Sequence, residues 1–375
     1  MTMRIQNQKQ MSHHEITRRQ LIAQMASLSA VMTLPALAQE IGHPTAASVA
    51  PKIGMFYTAW WDEQDRFHSW QKLHGPNQSV PVLGNYGAGD PKVIRRQYEM
   101  MHECGVDFLI FDDTNTIFVD DRIVDHNIKA WFDFMDALPP KERIWLCIAF
   151  GGELNQHSDP ESFHKAADYL YTTYAHRPSH WKRDGLPFIL WYIERDVIAD
   201  WQDPRWFIRR CYHFFRTEDQ GKHEGWGWGS KPYPPPNKEC MSFFPGWSQG
   251  DNPPIERRGG DYFMECWVRV LKAQPKYVAI ADWNQWHERC AVEDTTDWVD
   301  TRGYSTPDWY RQIIQGYKAM SQRSLLSGWF YRREEKLGDV YLFDGHQLIH
   351  QGEYPHRRPV LILPQGWFGD MPSQL

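Results

Sequence analysis

Pro91–Asn115 reads P-K-V-I-R-R-Q-Y-E-M-M-H-E-C-G-V-D-F-L-I-F-D-D-T-N. Its first half sets Val93, Ile94, Tyr98, Met101 and Cys104 at helical spacing, which makes one face apolar. Asp90 stands as N-cap, and Pro91 takes the first helical position, where its missing N–H costs nothing. Gly105 ends the helix. Val106–Phe111 is a largely apolar run, as expected of a strand covered on both faces, and it delivers Asp112, Asp113, Thr114 and Asn115 into a loop. Helix, buried strand and acidic strand end in that order form one unit of a parallel α/β sheet.

The same texture extends in both directions. Ile53–Trp60 (I-G-M-F-Y-T-A-W), Ile144–Phe150 running into Gly151-Gly152-Glu153, and Pro187–Ile193 ending at Glu194 read as further buried strands. Trp226–Gly229 and Met241–Trp247, on either side of the Pro234-Pro235-Pro236 loop, are short candidate strands, and Tyr277–Ala281 is the last. Phe163–Ala175, Pro204–Arg216, Asp261–Lys272 and Trp309–Met320 read as helices. Strands alternating with helices and ending in acids predict a (β/α)8 TIM-type barrel over residues 51–325, with its cleft at the strand C-termini. A doubly wound open sheet is the competing architecture, but its G-x-G-x-x-G fingerprint does not occur. From 326 to 375 short β runs punctuated by Gly and Pro replace the alternation, with Asp344-Gly345 as a hairpin turn. They predict a small β appendage.

Residues 1–38 read differently again. Arg18-Arg19 precede a mildly apolar stretch from Leu21 to Leu37, closed by Ala36-Leu37-Ala38, in the manner of a twin-arginine export signal. The stretch is broken by Gln24 and several hydroxyl residues, too polar for a membrane span. Export to the periplasm or medium, cleavage near Ala38 and a linker over 39–50 are the expectation. The whole chain has a net charge of −6, and removing residues 1–38 makes it more acidic. Without a basic run, nucleic acid is excluded as partner. The cysteines Cys104, Cys147, Cys211, Cys240, Cys266 and Cys290 form no C-x-x-C, which argues against a zinc site, while pairing among Cys240, Cys266 and Cys290 stays open. No metal and no cofactor are expected. Composition offers one positive pointer: 19 Trp with 17 Tyr is more than a core needs, and such flat faces suit sugar rings.

The richest segment for chemistry is Ala279–Glu293, A-I-A-D-W-N-Q-W-H-E-R-C-A-V-E. A strand end delivers Asp282, Trp283, Asn284, Gln285, Trp286, His287 and Glu288 in quick succession. Glycosidic cleavage needs a proton donor beside the leaving oxygen and a second group across the anomeric carbon. A carboxyl beside indoles has its pKa raised toward that task, so Glu288 is the expected general acid. Asp113, Glu194 and Asp282 are the candidate partners, and Glu153 is a weaker one. Asp112, Asn115, Asn284, Gln285 and His287 are expected to bind hydroxyls. Trp283, Trp286, Tyr57, Trp60, Trp61, Trp191 and Trp247 are expected as aromatic walls or platforms for the sugar. No G-x-S-x-G elbow or Cys–His signature points to serine or cysteine hydrolysis.

W-N-Q-W-H-E resembles the W-N-E-W-x-E motif of glycoside hydrolase families 99 and 71. Pro81–Asp90 (P-V-L-G-N-Y-G-A-G-D) and Gly105–Asn115 are similar to the loop and second strand of those families, so the likeness runs from Ile53 to Met320. The resemblance implies a (β/α)8 barrel acting without a metal on α-linked mannose or glucose polymers, with Glu288 as acid/base. It also implies a first glutamate assisting through the substrate 2-hydroxyl. Gln285 stands at that position, and an amide cannot accept a proton as a carboxylate does. Two functions therefore stay open: a glycoside hydrolase with a substitute carboxylate, or a non-catalytic glycan-binding protein. A lyase is the third reading.

Overall fold

The computed structural model describes residues 49–62, 70, 81–114, 123–151, 160–192, 201–216, 224–249, 252–295, 306–352, 354, 358–367, 373 and 374. The expected export signal, the linker to residue 48, Asn115, Glu153 and Glu194 lie outside them. In chain order the first strands are β1 (Lys52–Tyr57), β2 (Phe108–Asp113), β3 (Trp145–Phe150), the two-residue β4 (Lys182–Arg183) and β5 (Leu186–Tyr192). They are followed by β6 (Phe207–Arg216), β7 (Gly227–Lys231), β8 (Cys240–Phe243) and β9 (Tyr277–Ile280). The sheet order is β7-β6-β5-β3-β2-β1-β9-β8, every ladder on this path parallel, and β4 lies antiparallel on β5. Eight strands so ordered curl into a nearly closed TIM-type barrel.

The remaining seam, between β7 and β8, is stitched by serines. Ser242 Oγ accepts from Gly227 N–H at 3.1 Å and donates to the Gly225 carbonyl at 3.0 Å. Ser230 Oγ donates to the Ser242 carbonyl at 2.7 Å. These bonds do the pairing that a regular ladder does elsewhere in the barrel.

Strand alternation sorts the side chains into two layers. Phe56, Phe108, Ile110, Phe188, Leu190, Tyr192 and Cys211 fill the lumen, while Ile53, Met55, Tyr57, Leu109, Phe111 and Ile189 face the helices. Large rings occupy the lumen in tiers. Phe108 stacks on Trp181 at 4.5 Å, and Phe188 lies 5.2 Å from Trp226. Phe56 and Tyr192 flank Trp228 at 4.3 and 5.2 Å. Such rings demand glycine opposite them: a Cβ on Gly54 would sit 2.0 Å from the Phe108 ring, and one on Gly229 1.8 Å from Phe244.

The helices are α1 (Pro91–Glu103), α2 (Ile123–Asp136), α3 (Pro160–Tyr174), α4 (Asp261–Ala273) and α5 (Trp309–Ser321). Asp90 caps α1, accepting from Lys92 N–H at 2.6 Å, as its sequence dictates. Two elements differ from expectation. The segment read as a helix over Pro204–Arg216 contains β6, because its β-favouring residues F-I-R-R-C-Y-H-F-F-R complete the barrel between β5 and β7. Helix α2 occupies a stretch for which the sequence predicts no element.

Beyond α5, β10 (Trp329–Arg333), β11 (Lys336–Phe343), β12 (Leu348–Gln351), β13 (Val360–Leu363) and β14 (Ser373–Gln374) form a second sheet, ordered β13-β10-β11-β12-β14. Asp344 Oδ1 closes its hairpin turn by accepting from His346 and Gln347 N–H at 2.8 and 2.9 Å. No described helix is long and apolar enough to cross a membrane.

Candidate functional site

Because the barrel strands run parallel, their C-terminal ends share one face, and the polar strand tails gather there. The loop after β9 is fastened to β1 by one side chain. Asn284 Oδ1 accepts from Thr58 N–H at 2.9 Å and from Thr58 Oγ1 at 2.8 Å, and its Nδ2 donates to the Thr58 carbonyl at 3.0 Å. Trp61 Nε1 donates to the Asn284 carbonyl at 2.9 Å. Behind it lies a buried network. Asn284 Nδ2 reaches Tyr86 Oη at 3.2 Å, Tyr86 donates to Glu293 Oε2 at 2.6 Å, and Gln97 Nε2 donates to Glu293 Oε1 at 2.9 Å. Tyr57 Oη closes the chain on Gln97 Oε1 at 2.7 Å. Burial pushes the Glu293 carboxyl up to about 8 despite its two donors. The network ties β1, α1 and the loop around Tyr86 to the segment that carries Glu288.

Glu288 itself is half-buried at the mouth. Trp247 Nε1 donates to its Oε2 at 2.7 Å and Gln249 Nε2 to its Oε1 at 3.0 Å, while Ser248 N–H holds its carbonyl at 2.8 Å. Burial, reinforced by the charge of Asp112, pushes its carboxyl up to about 7, and the Trp247 donor and the Lys231 ammonium oppose that rise. Proton transfer near neutrality calls for a group in that range.

The two aspartates that end β2 diverge. Asp112 shares the lumen parity of Phe108 and Ile110 and is 6% exposed. Its Oδ1 accepts from Thr114 Oγ1 at 2.8 Å and Thr114 N–H at 3.2 Å, and burial lifts its carboxyl to about 6. Asp113 shares the parity of Leu109 and Phe111, toward the helices. It is 2% exposed, its oxygens have no hydrogen-bond partner among the described residues, and burial with the charges of Asp112 and Asp125 drives its carboxyl far up. Asp282 is fully buried, accepts from Cys290 Sγ at 3.4 Å, and is likewise raised, by burial first and then by Asp112 and Glu288. Asp112, Asp282 and Glu288 thus form one electrostatically coupled acidic group.

This shape is a known one. No protein-family model matches the chain, and no curated protein matches it. Among solved structures it is similar to the GH99 endo-alpha-mannosidase from Bacteroides thetaiotaomicron, with a TM-score of 0.54 and 13% identity over 72% of this chain and 98% of that one. The same enzyme in complex with bis-tris-propane aligns with a TM-score of 0.54 at 14% identity, covering 72% of this chain and 97% of the other. The (β/α)8 architecture expected from the motif is therefore the observed one.

Several expected sugar contacts are placed elsewhere. Tyr57 and Trp61 are fully buried and committed to Gln97 and Asn284, because strand parity turns Tyr57 toward the helices and the staple holds Trp61. Asn284 is that staple, and Trp283 is sealed in the helix layer. Trp191 packs there against Phe163 and Trp201, so at the C-terminal end of β5 the lumen-facing residue is Tyr192. Trp247 gives its N–H to Glu288. Trp60 and Trp286 are buried with the same outer layer, and His287 is half-buried, edge-on to Trp61 at 5.2 Å. Gln285 is 3% exposed, and its Oε1 has no partner among the described residues. All six cysteines are buried free thiols. Glu293, Tyr86, Gln97 and Lys231 carry no motif that marks them in the sequence. Glu293, Tyr86 and Gln97 nevertheless stand within Ala279–Glu293, Pro81–Asp90 and Pro91–Asn115, the stretches richest in signal.

Proposed function

We propose that this chain is a glycoside hydrolase in which Glu288 is the general acid/base. One observation carries the reading: a half-buried carboxyl at the C-terminal mouth of the barrel, pushed up to about 7, beside an inward-facing Asp112. Glu288 gives its proton to the glycosidic oxygen as the C–O bond breaks, and water supplies the hydroxyl that ends on the sugar while its remaining proton restores Glu288. Asp112 is the second carboxylate, since Asp113 faces the helices and Asp282 is sealed beneath the surface. The solved neighbour named an endo-alpha-mannosidase makes α-mannosides the first substrates to try. The proposal includes export through the twin-arginine-like segment of residues 1–38, to the periplasm or medium.

The test is digestion of a glycan panel that includes α-mannosides by the purified protein, read by mass spectrometry. Glu288→Gln is expected to lower turnover by at least ~10³-fold, in the range of a lost general acid combined with its field, with folding and glycan binding retained. Wild-type turnover in that variant would remove the assignment. Gln285 motivates a second reading, a barrel that binds glycans without cleaving them. Binding with no product from wild type, and product gained on Gln285→Glu, would favour it.

A further inference from the structure

Lys231 ends β7 at the mouth of the barrel and, among the described residues, makes no ion pair. Its ammonium lies 3.9 Å from the centre of the Trp247 ring and 4.0 Å from that of Phe214. The same indole donates Nε1–H to Glu288 Oε2 at 2.7 Å. Trp247 is fixed in turn, because its backbone exchanges hydrogen bonds with Ile255 at 3.0 and 2.8 Å. Cation, indole and carboxyl therefore stand in a row on three different loops and strands. A cation over an indole face is held by the ring quadrupole. Its field draws electron density from the ring, which makes the N–H a stronger donor, and a donor to a carboxylate favours the charged form.

We propose that Lys231 is a positioning residue that acts through Trp247, holding the Glu288 carboxyl in place and restraining its proton affinity. This rests on the reading of Glu288 as acid/base. The other charged groups facing Glu288 are Asp112 from β2, whose charge raises its proton affinity, and Asp282 from its own loop, which is itself raised by the charge of Glu288. Arg257 is engaged with the Arg289 and Ala291 carbonyls at 2.8 Å. Among the described residues, Lys231 is thus the cation that offsets Asp112 at Glu288, with the indole as the link.

The test reads Glu288 directly. In protein labelled with 13C at glutamate carboxyls, the Glu288 resonance is the one missing from Glu288→Gln, and its titration needs no substrate. Lys231→Met is expected to move the midpoint up by about one pH unit, the equivalent of a partly desolvated cation–π contact. Lys231→Arg should restore it. Trp247→Phe keeps the ring and removes the N–H; it should also raise the midpoint, and Lys231→Met added to it should move the midpoint less than in wild type. If Lys231→Met does not fold, Trp247→Phe carries the same expectation. An unmoved midpoint in these variants overturns the proposal. With a cleavable glycan, the alkaline limb of kcat/KM follows the same change upward, because Glu288 must hold its proton to act. A wild-type protein that titrates as expected yet cleaves nothing would defeat the hydrolase reading alone.

Discussion

At the scale of single residues, the site depends on carboxyls held where water is scarce, and Glu293 tests that most cleanly. It is completely buried, and burial lifts it from an ordinary 4.5 to about 8. Between those values the folded chain holds a proton that the unfolded chain has released, so stability must fall as pH rises through that window. Asp112 and Glu288 slope the same way over narrower ranges. Chemical denaturation at pH 5.5 and 8.5 should show wild type losing a few kcal/mol at the higher pH, on the order of 1.4 kcal/mol for each pH unit crossed while one such proton is held. Glu293→Gln should lose roughly 3 kcal/mol less over the same interval, even though it starts lower, since its amide cannot accept from both Tyr86 and Gln97. An unchanged slope would show that Glu293 is ionised throughout. Sequence made Glu288 legible because a strand end, two indoles and a carboxyl stand within a few residues of each other. It favours Asp113 over Asp112 as a partner carboxylate, whereas the lumen parity belongs to Asp112, because adjacent acids give no parity until the strand register is known. It gives no sign that Tyr57, Trp61 and Asn284 are engaged with Gln97, Asn284 and Thr58, because those partners lie far away in the chain.

Among the elements, the long apolar strands and the capped helix were legible from periodicity alone. The misread ones were those whose identity is set by neighbours. Residues 207–216 carry aromatics spaced for either a helix or a strand, and only the vacancy between β5 and β7 decides. Helix α2 had its signal in Ile128, Trp131, Phe132 and Met135, all fully buried, but no Gly or Pro nearby marks its start. The β7–β8 seam has no sequence signature, since a serine looks the same whether it faces solvent or joins strands. Ser242→Ala should therefore act beyond its size. It leaves Gly227 N–H and the Gly225 carbonyl unpaired in a buried place, a loss of about 1–3 kcal/mol. The Gly227 amide should also exchange its hydrogen faster than those of the β2–β3 ladder. Equal protection would mean the seam is held by packing alone.

For the whole molecule, residues 48–375 make one compact unit, and the second sheet belongs to the body of the protein. Among the described residues, two ion pairs and a tyrosine help fasten it to the outer helices. Arg332 pairs with Asp261 at 2.5 Å, Lys272 with Glu334 at 2.7 Å, and Tyr317 Oη both accepts from Ile362 N–H and donates to its carbonyl, each at 3.1 Å. The ion pairs are partly exposed and contribute little. The tyrosine matters more, because β13 is an edge strand and Ile362 is buried, so Tyr317 takes the place of a missing neighbour. Helices α4 and α5 also cover the outer side of the barrel near β9, whose tail carries Glu288, so weakening this joint should reach the site only through global stability. Tyr317→Phe should cost about 2 kcal/mol by leaving one buried N–H and one carbonyl unsatisfied. Melting should remain a single transition at lower temperature, with the Glu288 midpoint unmoved below it. A separate early transition of the sheet would show instead that the barrel stands without it.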